Sequence, residues 1–166
     1  MEHLGEFIPF LWIGAKATIR VTLMALLLGT PIAFIIGVMR ITKISWLYWP
    51  ATVYVEFIRG TPGLIQLFYI FYVLPFMGFN IDPIPAAVFA LTLNFAGYES
   101  EVVRAGFQAV SKPQREAATA LNMSQWLALR RVIFPQAIRI ILPPFGNSII
   151  ELFKATAIIS LVAVQD

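Results

Sequence analysis

The sequence contains no cysteine and a single histidine, His3. Without thiols there is no disulfide framework and no thiol chemistry. One histidine near a terminus leaves neither a metal cluster nor a proton relay to assemble, and no nucleophile, base and acid come together by spacing. A glycine-rich loop ending in Gly-Lys-Ser or Gly-Lys-Thr is also missing, so the chain is not expected to cradle ATP in that way. Charge is scarce: Asp, Glu, Lys and Arg supply 13% of 166 residues, about half the share usual in soluble domains. No repeat of fixed period and no low-complexity linker divides the chain, so a single helical domain over residues 1–166 is expected.

What is present is apolar. Hydrophobic residues make up 59% of the chain and its mean hydropathy is +0.80. Apolar stretches at 21–39, 64–81, 84–98 and 140–165 compare with the roughly 20 helical residues that cross a hydrocarbon core. They predict an all-α, polytopic membrane protein. Residues 1–7 are acidic rather than basic, and the first apolar run is too long and lacks a small-residue cleavage site, so no cleaved signal peptide is expected.

The sequence pI of about 9.5 invites a nucleic-acid reading, but the basic residues are placed otherwise. Arg40 and Lys43 lie between the first and second stretches; Arg104, Lys112, Arg115, Arg130, Arg131 and Arg139 lie between the third and fourth. Residues 76–83 hold Asp82 and no Lys or Arg. Positive-inside bias then puts these two basic connections in the cytoplasm and residues 76–83 and the N-terminus outside, with Lys16 and Arg20 as the outnumbered exceptions. Topology and lipid contact account for these cations without nucleic acid.

Three local patterns stand out. Gly29, Ala33 and Gly37 recur every four residues on one face of the first stretch, a small-residue seam that lets helices approach closely, while Pro31 beside it removes a backbone donor. Residues 46–73 exceed one perpendicular crossing, and Arg59-Gly60-Thr61-Pro62-Gly63 within them predicts a bend. That bend is either a tight turn with Arg59 reaching a headgroup or a flexible joint in a gate. Between Lys112 and Arg139 the run KPQREAATALNMSQWLALRRVIFPQAIR reads as a helix-turn-helix. Its alanine-rich first helix ends at Asn122 in the left-handed conformation, and Ser124 caps the second helix. Glu116 and the small residues Ala117 and Ala118 are expected to be exposed, as a shallow surface for a partner.

EAATALN, with the IFPQAIRIILPP that follows, resembles the EAA loop of the permease subunits of ATP-binding cassette (ABC) importers, in particular the polar amino acid uptake family. VEFIRGTPGLIQLFYIFY, LNFAGYESEVVRAGFQAV and PPFGNSIIELFKATAI extend the resemblance over most of the chain. The resemblance implies a type I ABC importer permease fold and a non-enzymatic subunit in the inner membrane. It also implies two ATP-hydrolysing partner subunits, a second permease copy or paralogue, an extracytoplasmic substrate-binding protein and an amino acid as substrate. On that pattern Glu116, Ala117, Ala118 and Asn122 couple to the ATPase, which binds the ATP, and this chain carries no cofactor. Two positions depart from it: Asn122 stands where the family has glycine, and Ala155 replaces the aspartate of Lys-Asp-Thr. Family members continue into a further span, which the 166 residues lack.

Ionisable residues inside spans are candidate functional groups. Glu151 and Lys154, three apart, are expected to share a helix face. They form either an internal ion pair or, with Asn147 one turn earlier, part of a path that meets substrate. Glu101 and Glu99 are secondary candidates that could pair with Arg104. A helical channel or membrane-interaction subunit without ATP coupling is the alternative from another class.

Overall fold

The computed structural model describes residues 4–42 and 44–163, so His3, Lys43 and Gln165 lie outside the described residues. It is helical throughout. The first helix, α1 (Leu4–Met39), begins well before the expected apolar run and continues unbroken through Pro31. The second, α2 (Ser45–Gly60), is followed by α3 (Gly63–Phe68), a π-helical turn (Tyr69–Val73) and α4 (Leu74–Phe76). The long α5 (Pro83–Ala109) comes next, then the short α6 (Lys112–Ala120) and α7 (Gln125–Ala128). A second π turn (Leu129–Ile133) leads into α8 (Phe134–Ala163). Among the described residues Trp12–Met39 is the one helix long and apolar enough by itself to cross a membrane, and Ser45–Gly60 with Gly63–Phe76, bent by 102°, qualifies as a broken span or a re-entrant loop. The expected third and fourth apolar stretches fall in α5 and α8, of 27 and 30 residues, neither of which is among the helices apolar enough to cross by that measure.

The centre of the assembly is α5, against which α1, α2, α3 and α8 pack. The seam on α1 is what permits this. Ala25 and Ala33 are fully buried, and Gly37 sits so close to α5 that a Cβ there would stand 2.8 Å from the Ser100 carbonyl oxygen. Lipid offers apolar side chains no advantage in meeting each other, so such close approach, rather than hydrophobic exclusion, holds membrane helices together. Glycine works in the same way from α5, where Gly97 receives Ile58 of α2 and Gly106 receives Ile141 of α8. Among the described residues the two larger apolar clusters fill space beside these contacts. Val21, Ala25, Leu91, Phe95 and Leu152 form one, and Val103, Phe107, Ala137 and Ile141 the other.

The bend falls where Arg59–Gly63 predicts it. Pro62 cannot donate to the Ile58 carbonyl, so the ladder stops there. Downstream, the expected second helix of the helix-turn-helix is not a separate element: α7 runs through the π turn into α8, and Arg130 and Arg131 lie in that wide turn.

Candidate functional site

A cavity of about 330 Å³ opens between the start of α3, the middle of α5 and the second half of α8. Its polar lining is Asn94, Tyr98 and Glu99 from α5 and Ser148 and Glu151 from α8, with Gly63 at the bend. Glu99 is 1% exposed and its Oε2 has no hydrogen-bond partner among the described residues. A carboxyl oxygen held out of water without a donor is costly, so Glu99 Oε2 is available to a donor entering the cavity. The size lies at the lower end of small-molecule sites.

Of the residues singled out from sequence, Glu151 lines this cavity, whereas Asn147 and Lys154 do not. Helical geometry explains the split. At 100° per residue, Ser148, Leu152 and Ala155 fall to one side of Glu151, and Asn147 and Lys154 to the other. Among the described residues no ion pair joins Glu151 to Lys154, and both are exposed, which leaves the ion-pair alternative without a contact. Glu99, a secondary candidate in the sequence, does not pair with Arg104 either; it faces the cavity instead.

Glu101, two positions beyond the cavity residue Glu99 on α5, belongs to a separate cluster. It accepts hydrogen bonds from Arg40 at 2.5 Å and from Arg104, and Arg59 approaches it at 4.0 Å. Arg40 also lies 3.9 Å from Glu56, and the Arg59 guanidinium sits over the Tyr98 ring, 5.9 Å from its centroid. The cluster therefore ties α1, α2 and α5 together at one end. Arg40, Arg59 and Arg104 thus do more than mark topology, which the basic-residue count could not show.

The α6–α7 turn is built as its residues require. Asn122 has φ 54°. The Met123 N–H donates to Ala118 O and the Asn122 N–H to Thr119 O, which is the paired closure that ends a helix on a left-handed residue. Ser124 Oγ accepts from the Leu127 N–H at 3.3 Å. Glu116 and Ala117 are exposed, but Ala118 is 3% exposed, a correction to its expected place on an open surface. It faces inward because α6 lies down on the α7 region and the π turn. Arg115 holds the helix there by donating to Phe107 O at 2.6 Å, and Gln136 of α8 donates to Gln114 at 3.2 Å.

Sequence reasoning passed over Gln66. Its side chain is buried and bridges the bend, with Nε2 donating to Ile58 O at 2.8 Å and to Thr61 O at 2.9 Å. Asn94 Nδ2 in turn donates to Gln66 Oε1 at 3.1 Å. The signal that could have found it is the pairing of a proline break with a long amide four residues later.

Known proteins with this arrangement are transport components. The family described as binding-protein-dependent transport system inner membrane component matches residues 7–166. The chain is 41% identical to the L-cystine transport system permease protein TcyB of Bacillus subtilis (strain 168) over 161 residues, which cover 97% of this chain and 69% of that one. It is 35% identical to the arginine transport system permease protein ArtQ of the same organism, covering 96% and 73% of the two chains. Among solved structures, the crystal structure of an amino acid ABC transporter with histidines superposes with a TM-score of 0.91 at 39% identity, over 98% of this chain and 76% of that chain.

Proposed function

The chain belongs to the family of binding-protein-dependent transport system inner membrane components, and from that premise we propose that it is the permease subunit of an ATP-driven importer of a polar amino acid. The observation that carries the substrate class is the cavity in which Glu99 and Glu151 face Asn94, Tyr98 and Ser148. Two carboxylates with neutral polar groups suit a ligand that brings an ammonium donor, which every amino acid does. Permeases of L-cystine and arginine systems among the relatives support this over a channel without energy coupling.

In this reading ATP is bound and hydrolysed by two partner subunits, and the chain needs no cofactor of its own. A second permease copy or paralogue completes the pathway, and an extracytoplasmic protein delivers the amino acid. The α6–α7 turn, in the segment 112–139, faces the cytoplasm and docks on the ATPase through Glu116 and Ala117, with Asn122 shaping the turn and Ala118 supporting it from within. The N-terminus lies outside.

The test is uptake by the transporter reconstituted with its ATPase and binding protein, using radiolabelled L-cystine, L-arginine and L-glutamine. ATP-dependent uptake of at least one is expected. Glu99→Gln is expected to lower it about tenfold or more while the complex still assembles, since a charge-assisted contact contributes roughly 1.5–3 kcal/mol. Lys154→Met is expected to leave it near normal. Uptake of none of the three by the unmodified transporter, or undiminished uptake by Glu99→Gln, would sink the reading.

A further inference from the structure

The bend and the cavity share a hydrogen-bonded link that no part of the transport reading uses. In an unbroken helix the Ile58 carbonyl would accept from residue 62, which here is Pro62 and has no N–H. Ile65 and Gln66 turn their own N–H groups to Pro62 O, which leaves Thr61 O without a helical donor. Both orphaned carbonyls are taken up by one side chain, Gln66, which spends its two amide hydrogens on Ile58 O at 2.8 Å and Thr61 O at 2.9 Å. That choice of partners fixes the amide: the nitrogen must face the carbonyls, so Oε1 must face away. Oε1 then accepts from Asn94 Nδ2 at 3.1 Å, and this in turn orients an amide that lines the cavity beside Glu99. Each step removes a rotational choice from the next.

We propose that Gln66 is a positioning residue that ties the angle of the α2–α3 bend to the orientation of Asn94 in the cavity, so that ligand contact at Asn94 and the bend are set together. The proposal rests on the reading of this cavity as the substrate path. With one Nδ2 hydrogen of Asn94 committed to Gln66, its Oδ1 and its second Nδ2 hydrogen are left for a ligand, and Oδ1 adds to the acceptors Glu99 and Glu151. If a ligand draws Asn94 aside, Gln66 loses its acceptor contact and its grip on the two carbonyls is loosened with it. The coupling runs equally in the other direction, as linkage requires.

The substitutions separate the two halves of the link. Gln66→Glu keeps an oxygen to accept from Asn94 but offers no donor to Ile58 O and Thr61 O. Gln66→Met removes both. Because the chain has no cysteine, spin labels at Val53→Cys and Tyr69→Cys, both exposed, can report the distance across the bend in the reconstituted transporter. Both variants are expected to broaden that distance distribution, and Pro62→Ala, which returns an N–H to the backbone, is expected to narrow it again. In uptake assays with the same three radiolabelled amino acids, Gln66→Met is expected to raise KM by roughly five- to tenfold, the scale of one misdirected hydrogen bond, with a smaller change in the maximal rate. Gln66→Glu is expected to raise KM less. An unchanged distance distribution in Gln66→Met overturns the proposal. So does a broadened distribution with an unchanged KM, because Gln66 would then serve the bend alone. Absence of uptake in the unmodified transporter would count against the amino-acid reading instead, and the distance measurement would still decide the hold of Gln66 on the bend.

Discussion

At Gly37 the added Cβ of an alanine would meet both the Ser100 carbonyl oxygen at 2.8 Å and the Val103 side chain at 2.7 Å, whereas at Gly29 the nearest atom is a Phe95 ring carbon at 2.7 Å. A ring can tilt and a helix backbone cannot. Gly37→Ala is therefore expected to destabilise the purified chain by about 1–3 kcal/mol and Gly29→Ala by less, read as the shift in thermal unfolding in detergent. Asn122 makes the complementary case. At φ 54° Asn122→Gly is expected to change stability by only a few tenths of a kcal/mol, while the β-branched Asn122→Val is expected to cost about 1 kcal/mol or more. Both positions were legible in the sequence, because small residues at four-residue spacing and an asparagine after an alanine-rich helix each have one physical use. Gln66 was not, and Glu99 was legible only as a secondary candidate for pairing with Arg104. Glu99 and Glu101 lie about 200° apart on the helix, and which of those faces meets an arginine and which a cavity is set by how α5 packs against its neighbours, which the sequence does not state.

Among the elements, the bend between α2 and α3 follows from Pro62 and Gly63, and its presence was readable. Its angle of 102° was not, since that depends on what satisfies the freed carbonyls. The α6–α7 turn shows a similar division. Its cap residues and its end at Asn122 follow from local chemistry, but the direction in which α6 rolls is set by contacts with α8 and with the end of α5. That roll buries Ala118 and exposes Ala117, and it yields a paired prediction. Ala117→Arg is expected to leave the thermal stability of the chain nearly unchanged, within about 0.5 kcal/mol, and to abolish co-purification of the ATPase. Ala118→Arg is expected to lower stability itself by several kcal/mol, because a charge without a partner is forced inside. Retention of the ATPase by Ala117→Arg would remove α6 from the docking surface.

For the molecule as a whole, charge placement along the chain makes a claim about orientation that contacts within the chain do not address. Single cysteines at Phe79 and Gln125 are expected to differ in intact cells: a membrane-impermeant thiol reagent labels the first and spares the second, and the reverse pattern would invert the proposed orientation. The helical class, the bend and the central small-residue seam were all readable from residues. The central role of α5 was not, because it arises from pairings between segments far apart in the chain. The ion pair from Arg40 to Glu101 spans 61 positions, and that distance has a meaning in time. At about 5–20 residues synthesised per second, α1 enters the bilayer roughly 3 to 12 s before the segment that matches its seam is made. Through that interval Gly29, Ala33 and Gly37 present a bare groove to lipid, and Arg40 waits without its acid. The order of manufacture thus runs opposite to the order of dependence for this pair: α1, with its groove, is made well before the α5 segment that fills it.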